Sequence, residues 1–119
     1  MNASPRSLLG LGALVLALSA ASAWWAARHE AALGAQVAAL ARPGDIRMLG
    51  SETCSICAAA NRWFTVHGVP FTECLIERDA ACRAAYEATG APGTPVMLLR
   101  GQVDLGFNPT RLRDRLQAR

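Results

Sequence analysis

The chain has 119 residues, 52% of them hydrophobic and 18% charged, which excludes a disordered polymer and fits one small domain plus an appendage. Its net charge is +3, and every cation is an arginine because the sequence contains no lysine. The arginines are scattered rather than striped among aromatics, so no nucleic-acid partner is expected.

The chain opens on "MNASPRSLLGLGALVLALSAASAWWAARHE". Leu8 to Leu18 is an uninterrupted apolar run, preceded by Arg6. One reading is a cleaved secretory signal, since Ala21-Ser22-Ala23 places small residues where a signal peptidase cuts. The other extends the run to Ala27, about 20 residues, enough to cross the hydrocarbon core of a bilayer. Trp24 and Trp25 would then occupy the interfacial belt. The anchor is the reading carried forward, with the periplasm or exterior as the expected location and release into the periplasm as its alternative. Burial inside a soluble domain is the third reading, and it fits poorly in so small a protein. Residues 1–27 are therefore taken as signal or anchor.

Residues 28–43 continue an alanine-rich helical pattern, with Leu33, Val37 and Leu40 on one face, and are read as a stalk. His29 is expected to be solvated. Pro43 and Gly44 break the helix, and the domain boundary is placed at 44.

In the domain, 44–119, Ile46–Leu49 reads as a strand and Cys57–His67 as a helix closed by Gly68. His67 in the last turn suits the helix dipole. Val69–Ile76 reads as a second strand, Ala80–Thr89 as a helix ended by Gly90, and Val96–Leu99 and Gln102–Leu105 as two strands joined by a tight turn. Asn108 is a candidate N-cap, with Pro109 opening a helix to Gln117. Trp63, Phe64, Phe71 and Tyr86 are expected in or at the edge of the core. A strand–helix–strand unit implies parallel pairing and the tight turn antiparallel pairing, giving a mixed four-stranded α/β sheet with flanking helices.

Four cysteines remain: Cys54, Cys57, Cys74 and Cys82. The first strand ends just before Cys54, which places that residue at a helix N-terminus, where orphan N–H groups favour a thiolate. Cys57 falls one turn on and can close a ring with it, the arrangement that thiol–disulfide exchange needs. An even cysteine count outside the cytoplasm makes Cys74 and Cys82 a candidate structural disulfide, with two buried thiols as the alternative. A zinc-type module is the competing class, but the last cysteine pair is too widely spaced for a second knuckle. A non-catalytic interaction domain with a static disulfide is the other competitor.

Three stretches, "CSIC" at 54–57, "GTPV" at 93–96 and "LGFNPTRLRDRL" at 105–116, together resemble the glutaredoxin branch of the thioredoxin-fold superfamily. That resemblance implies Cys54 as nucleophile and Cys57 as resolving thiol. It implies Pro95 as a cis-proline, and Thr94 as a residue offering its backbone to substrate. It also implies protein or small-thiol disulfides as substrates, a separate redox partner, and glutathione as one small thiol. No bound cofactor or metal is expected. Three departures bear on glutathione: Ser55-Ile56 replaces the usual Pro-Tyr, Glu52 lies where a basic residue is common, and Phe107 and Asn108 replace a glycine and an acid.

Overall fold

The computed structural model describes residues 4–118. The element order is α1 (Pro5–Leu40), β1 (Ile46–Gly50), α2 (Ser55–His67), β2 (Thr72–Leu75), α3 (Ala80–Thr89), β3 (Val96–Leu99), β4 (Gln102–Leu105) and α4 (Pro109–Gln117). Two compact units result, one reaching to Ala32 and one from Leu33 onward.

The first unit is helical, and its stretch from Leu8 to Ala27 carries no charged residue. Its most apolar window has a mean hydropathy of 1.8 with no residue buried, so by length and composition the helix can cross a membrane. The side chains of Ser19 and Ser22 donate to the carbonyls of Val15 and Ser19, which satisfies both hydroxyls within the helix. The Arg28 guanidinium stacks over Trp24 at 4.6 Å.

The second unit is built on a mixed sheet of order β2-β1-β3-β4. β1 pairs parallel with β2 and antiparallel with β3, and β3 pairs antiparallel with β4. This is the four-stranded α/β arrangement that the element order implies. Alternation along β1 sends Ile46 and Met48 to one face and Leu49 to the other. The first face carries the larger core, where Val37, Phe64, Leu112 and Leu116 from the helices meet Met48 and Met97. Phe64 is fully buried, and burial of such a ring contributes about 2–3 kcal/mol. The second face packs Leu49 and Val96 against Cys82, with Tyr86 and Ala85 of α3 alongside.

Several boundaries differ from those read in the sequence. β2 begins at Thr72 rather than Val69, because Val69 turns inward to bury its side chain and Pro70 has no N–H to offer a ladder. α2 begins at Ser55 rather than Cys57, since Cys54 itself is the cap. Residues 33–41, read as stalk, belong to the globular unit: Leu33, Val37 and Ala41 are buried there. Gly34 sits against the imidazole of His67, and a Cβ built at Gly34 would overlap that ring. His67 in turn stacks on Trp63 at 4.6 Å. Phe107 packs edge-on to Trp63 and Phe64 at 5.7 and 5.5 Å, so its ring is absorbed by an aromatic cluster.

Two of the helices end on left-handed glycines, Gly68 and Gly90. Asp79 caps α3 by accepting from Ala81 and Cys82 N–H, and Asn108 caps α4 by accepting from Arg111 N–H. Buried Asp104 on β4 is met by the Arg111 guanidinium at 2.9 Å, a charge-assisted pair that ties α4 to the sheet edge.

Cys74 on β2 and Cys82 on α3 are disulfide-bonded, with Cα atoms 6.0 Å apart. The bond clips the edge strand to the helix beneath it. Replacing both cysteines with alanine is expected to lower unfolding free energy by about 2.5 kcal/mol, the loop-closure value for so short a span, as read from urea midpoints. Gly34→Ala is expected to destabilise the globular unit by about 1–2 kcal/mol, overpacking outweighing the gain in helix propensity. In a His67→Ala background the same change should become neutral or stabilising, and thermal melts of the double-mutant cycle check this.

Candidate functional site

The site begins where β1 runs out. Gly50 is the last residue of the strand, and the loop Ser51–Thr53 carries the chain to α2. Cys54 is extended, with φ −96° and ψ 105°, the geometry of an N-cap. Its Sγ accepts from the Cys57 N–H at 3.0 Å, so a sulfur stands where serine or aspartate would normally place an oxygen. In the reduced chain, that N–H and the positive end of α2 favour a thiolate on Cys54.

Cys54 and Cys57 are bonded to one another, with Cα atoms 5.2 Å apart. The two sulfurs differ in access. Cys54 is half-buried, whereas Cys57 is 1% exposed and lies beneath the first turn of α2. An approaching group therefore meets Cys54 first.

The loop before the cysteines is held from the opposite segment. The Ser51 hydroxyl donates to the Glu77 carboxylate, whose other oxygen accepts from the Glu52 N–H at 3.1 Å. The Glu52 carboxylate pairs with Arg78. The Ser51 hydroxyl, aided by the Glu52 amide, holds the Glu77 carboxyl below its ordinary range. Sequence reasoning missed Ser51 and Glu77, because their partnership spans residues far apart along the chain.

A groove of about 520 Å³ runs beside the sulfurs, and its walls include Ala58, Val66 and Leu75. Asn61 and Glu73 meet in it, the Asn61 amide donating to Glu73 at 2.6 Å. Ile56, exposed beside the cysteines, adds further apolar surface.

Thr94 and Pro95 stand at the same end of the sheet as the cysteine loop. Val96 pairs with Leu49, so Pro95 falls level with the end of β1. The Thr94–Pro95 peptide is cis; Pro95 is buried and Thr94 half-buried. Gly106, after β4, donates its N–H to the Pro95 carbonyl at 2.9 Å and holds this turn. The structure thus gathers Cys54, Cys57, Thr94 and Pro95 at one sheet end. Cys74 and Cys82 lie on the α3 face, engaged with each other. Among the described residues, no three His, Cys, Asp or Glu side chains converge on a metal-sized space.

The lowered Glu77 carboxyl has a sign that can be tested. Its folded value lies below the ordinary 4.5, so it stabilises the fold fully above that pH. That contribution is lost as pH falls through the lower folded value. Glu77→Gln should remove this part of the acid dependence, as read from thermal melts between pH 3 and 6.

No family model matches the chain, and no curated protein matches it. Solved structures do. A thioredoxin-like protein, crystallised as a point mutant, superposes with a TM-score of 0.55 at 22% identity, covering 64% of this chain and 99% of its own. The glutaredoxin from Archaeoglobus fulgidus superposes with a TM-score of 0.51 at 21% identity, covering 62% of this chain and 87% of its own. The globular unit therefore has the thioredoxin-like, glutaredoxin-type fold.

Proposed function

We propose that the chain is a thiol–disulfide oxidoreductase that works through Cys54 and Cys57. The observation carrying this reading is the asymmetry of the bonded pair. Cys54 is a half-buried helix cap whose sulfur faces a backbone N–H, and Cys57 is a buried sulfur one turn behind it. Attack by the Cys54 thiolate on a substrate disulfide forms one S–S bond and expels one substrate thiolate. Cys57 then attacks Cys54 and expels the second. Two electrons have passed from the dithiol to the substrate, and the reverse sequence oxidises a substrate dithiol. The electrons travel in the sulfur bonds, so exchange requires no bound cofactor; glutathione is one small thiol that could serve.

The backbone of Thr94, level with the cysteine loop, is proposed to receive an extended substrate segment, with protein or small-thiol disulfides as the substrate class. The apolar helix of the first unit is proposed to hold the chain in a membrane with the domain outside the cytoplasm, where a separate partner resets the couple.

The test uses the full chain in detergent. Cys57→Ser should accumulate covalent partners through Cys54, and Cys54→Ser should trap none. The unaltered chain should reduce an insulin-type disulfide when supplied with a thiol. Stoichiometric zinc without exchange activity would sink the proposal in favour of a metal module.

A further inference from the structure

The Cys74–Cys82 bond has a cation beside it. Arg47 and Leu49 alternate with Met48 along β1, and so share the sheet face on which Cys74 meets α3. The half-buried Arg47 guanidinium donates to Cys74 Sγ at 3.7 Å, and among the described residues it has no carboxylate partner. A bonded sulfur is a weak acceptor, so the cation gains little while the disulfide is closed. A Cys74 thiolate in the same place would form a charge-assisted pair with it. The reduced state thus has an interaction that the oxidised state lacks, and this shifts the couple toward reduction.

The two sulfurs are unequal. Cys82 in the first turn of α3 is fully buried, whereas Cys74 is half-buried on the edge strand β2. The Asp79 carboxylate accepts from the Cys82 N–H, which disfavours charge on that residue. Cys74 is therefore the sulfur that a reductant reaches and the one that holds the charge afterwards.

The loop closed by this bond reaches the other cysteine pair. Its ends are eight residues apart in sequence, and between them lie Glu77 and Arg78. Glu77 accepts from the Ser51 hydroxyl and the Glu52 N–H, and Arg78 pairs with the Glu52 carboxylate. Glu77 and Arg78 are exposed, and polar contacts at such sites are individually weak. Their persistence depends on the turn that presents them, and the disulfide is what closes that turn.

We propose that Cys74–Cys82 is a second thiol–disulfide couple, with Arg47 as its thiolate partner, whose state sets how firmly the loop before Cys54 is held. The couple stands apart from the exchange reading above; only its bearing on Cys54 chemistry rests on that reading. The reductant is a dithiol. Its first sulfur, as a thiolate, bonds to Cys74 Sγ, and Cys82 leaves with the electron pair. Its second sulfur gives its proton to Cys82 and attacks the first, which closes the reductant's own disulfide. Cys74 is freed as a thiolate beside Arg47, and two electrons have passed to the protein. The reverse sequence closes the bond again.

The test uses the full chain in detergent with Cys54→Ser and Cys57→Ser, which leaves Cys74 and Cys82 as its sole cysteines. Serine at 54 keeps a capping oxygen for α2. The protein is equilibrated in dithiothreitol buffers of graded redox ratio, and the reduced fraction is counted by alkylation and mass. Arg47→Met should lower the equilibrium constant for reduction about tenfold, equivalent to about 30 mV, and Arg47→Lys should restore part of it. With Arg47 in place, reduction should speed hydrogen exchange of the Glu52 amide about tenfold while the Phe64 amide in α2 keeps its protection. A constant unmoved by Arg47→Met, or loss of Phe64 protection on reduction, would leave the bond a structural staple and overturn the proposal. A Glu52 amide that exchanges equally in both states would overturn the hold on the loop. Disulfide exchange by Cys54 is read separately, by insulin reduction with the unaltered chain, so failure of that reading and failure of this one give different results.

Discussion

Helix α2 is held at both ends, and the placement of the sulfurs depends on that hold. At its start, the Cys54 sulfur takes the place of a capping oxygen and accepts from the Cys57 N–H. At its finish, Gly68 turns the chain out of the helix, and His67 is wedged between Trp63 and the bare backbone of Gly34. Between them, Ala60 and Phe64 are fixed in the core. A helix pinned this way cannot slide along its axis, so its first turn meets the end of β1 at a set height. The sulfur that caps the helix also belongs to the more accessible residue of the bonded pair.

The two faces of the sheet divide the work. The face carrying α2, α4 and the last turns of α1 holds the larger core and points its open end toward the Cys54–Cys57 groove. The face carrying α3 is smaller, and its Cys74–Cys82 bond compensates for limited apolar area in a unit this short. That bond also restrains β2, the edge strand on which Glu73 sits. The two disulfides therefore serve one architecture, one stiffening the strand and the other lying in the groove beside it.

Much of this was readable from residue order. Gly68, Gly90 and the Asn108-Pro109 pair mark helix ends for reasons of backbone geometry and capping alone, and the helices end or start there. Strand alternation likewise acts locally, whereas "CSIC" and "GTPV" are read together through a family resemblance. What was not readable depends on contacts between distant segments. Gly34 in an alanine-rich helix gives no sign that an imidazole will lie against it. Glu73 in "TECL" sits beside a second polar residue in a four-residue strand, and only the pairing with β1 decides which face it takes. Glu77 and Ser51 find each other across the β1–β2 crossover, a distance that no local pattern encodes.

The start of the globular unit at Leu33 bears on maturation. Among the described residues, no core residue precedes Leu33, and the small residues Ala21–Ala23 lie upstream of it. Proteolysis there would remove the bilayer-length segment and spare every buried side chain of the domain. The buried side chains of the globular unit therefore do not depend on the apolar segment being retained.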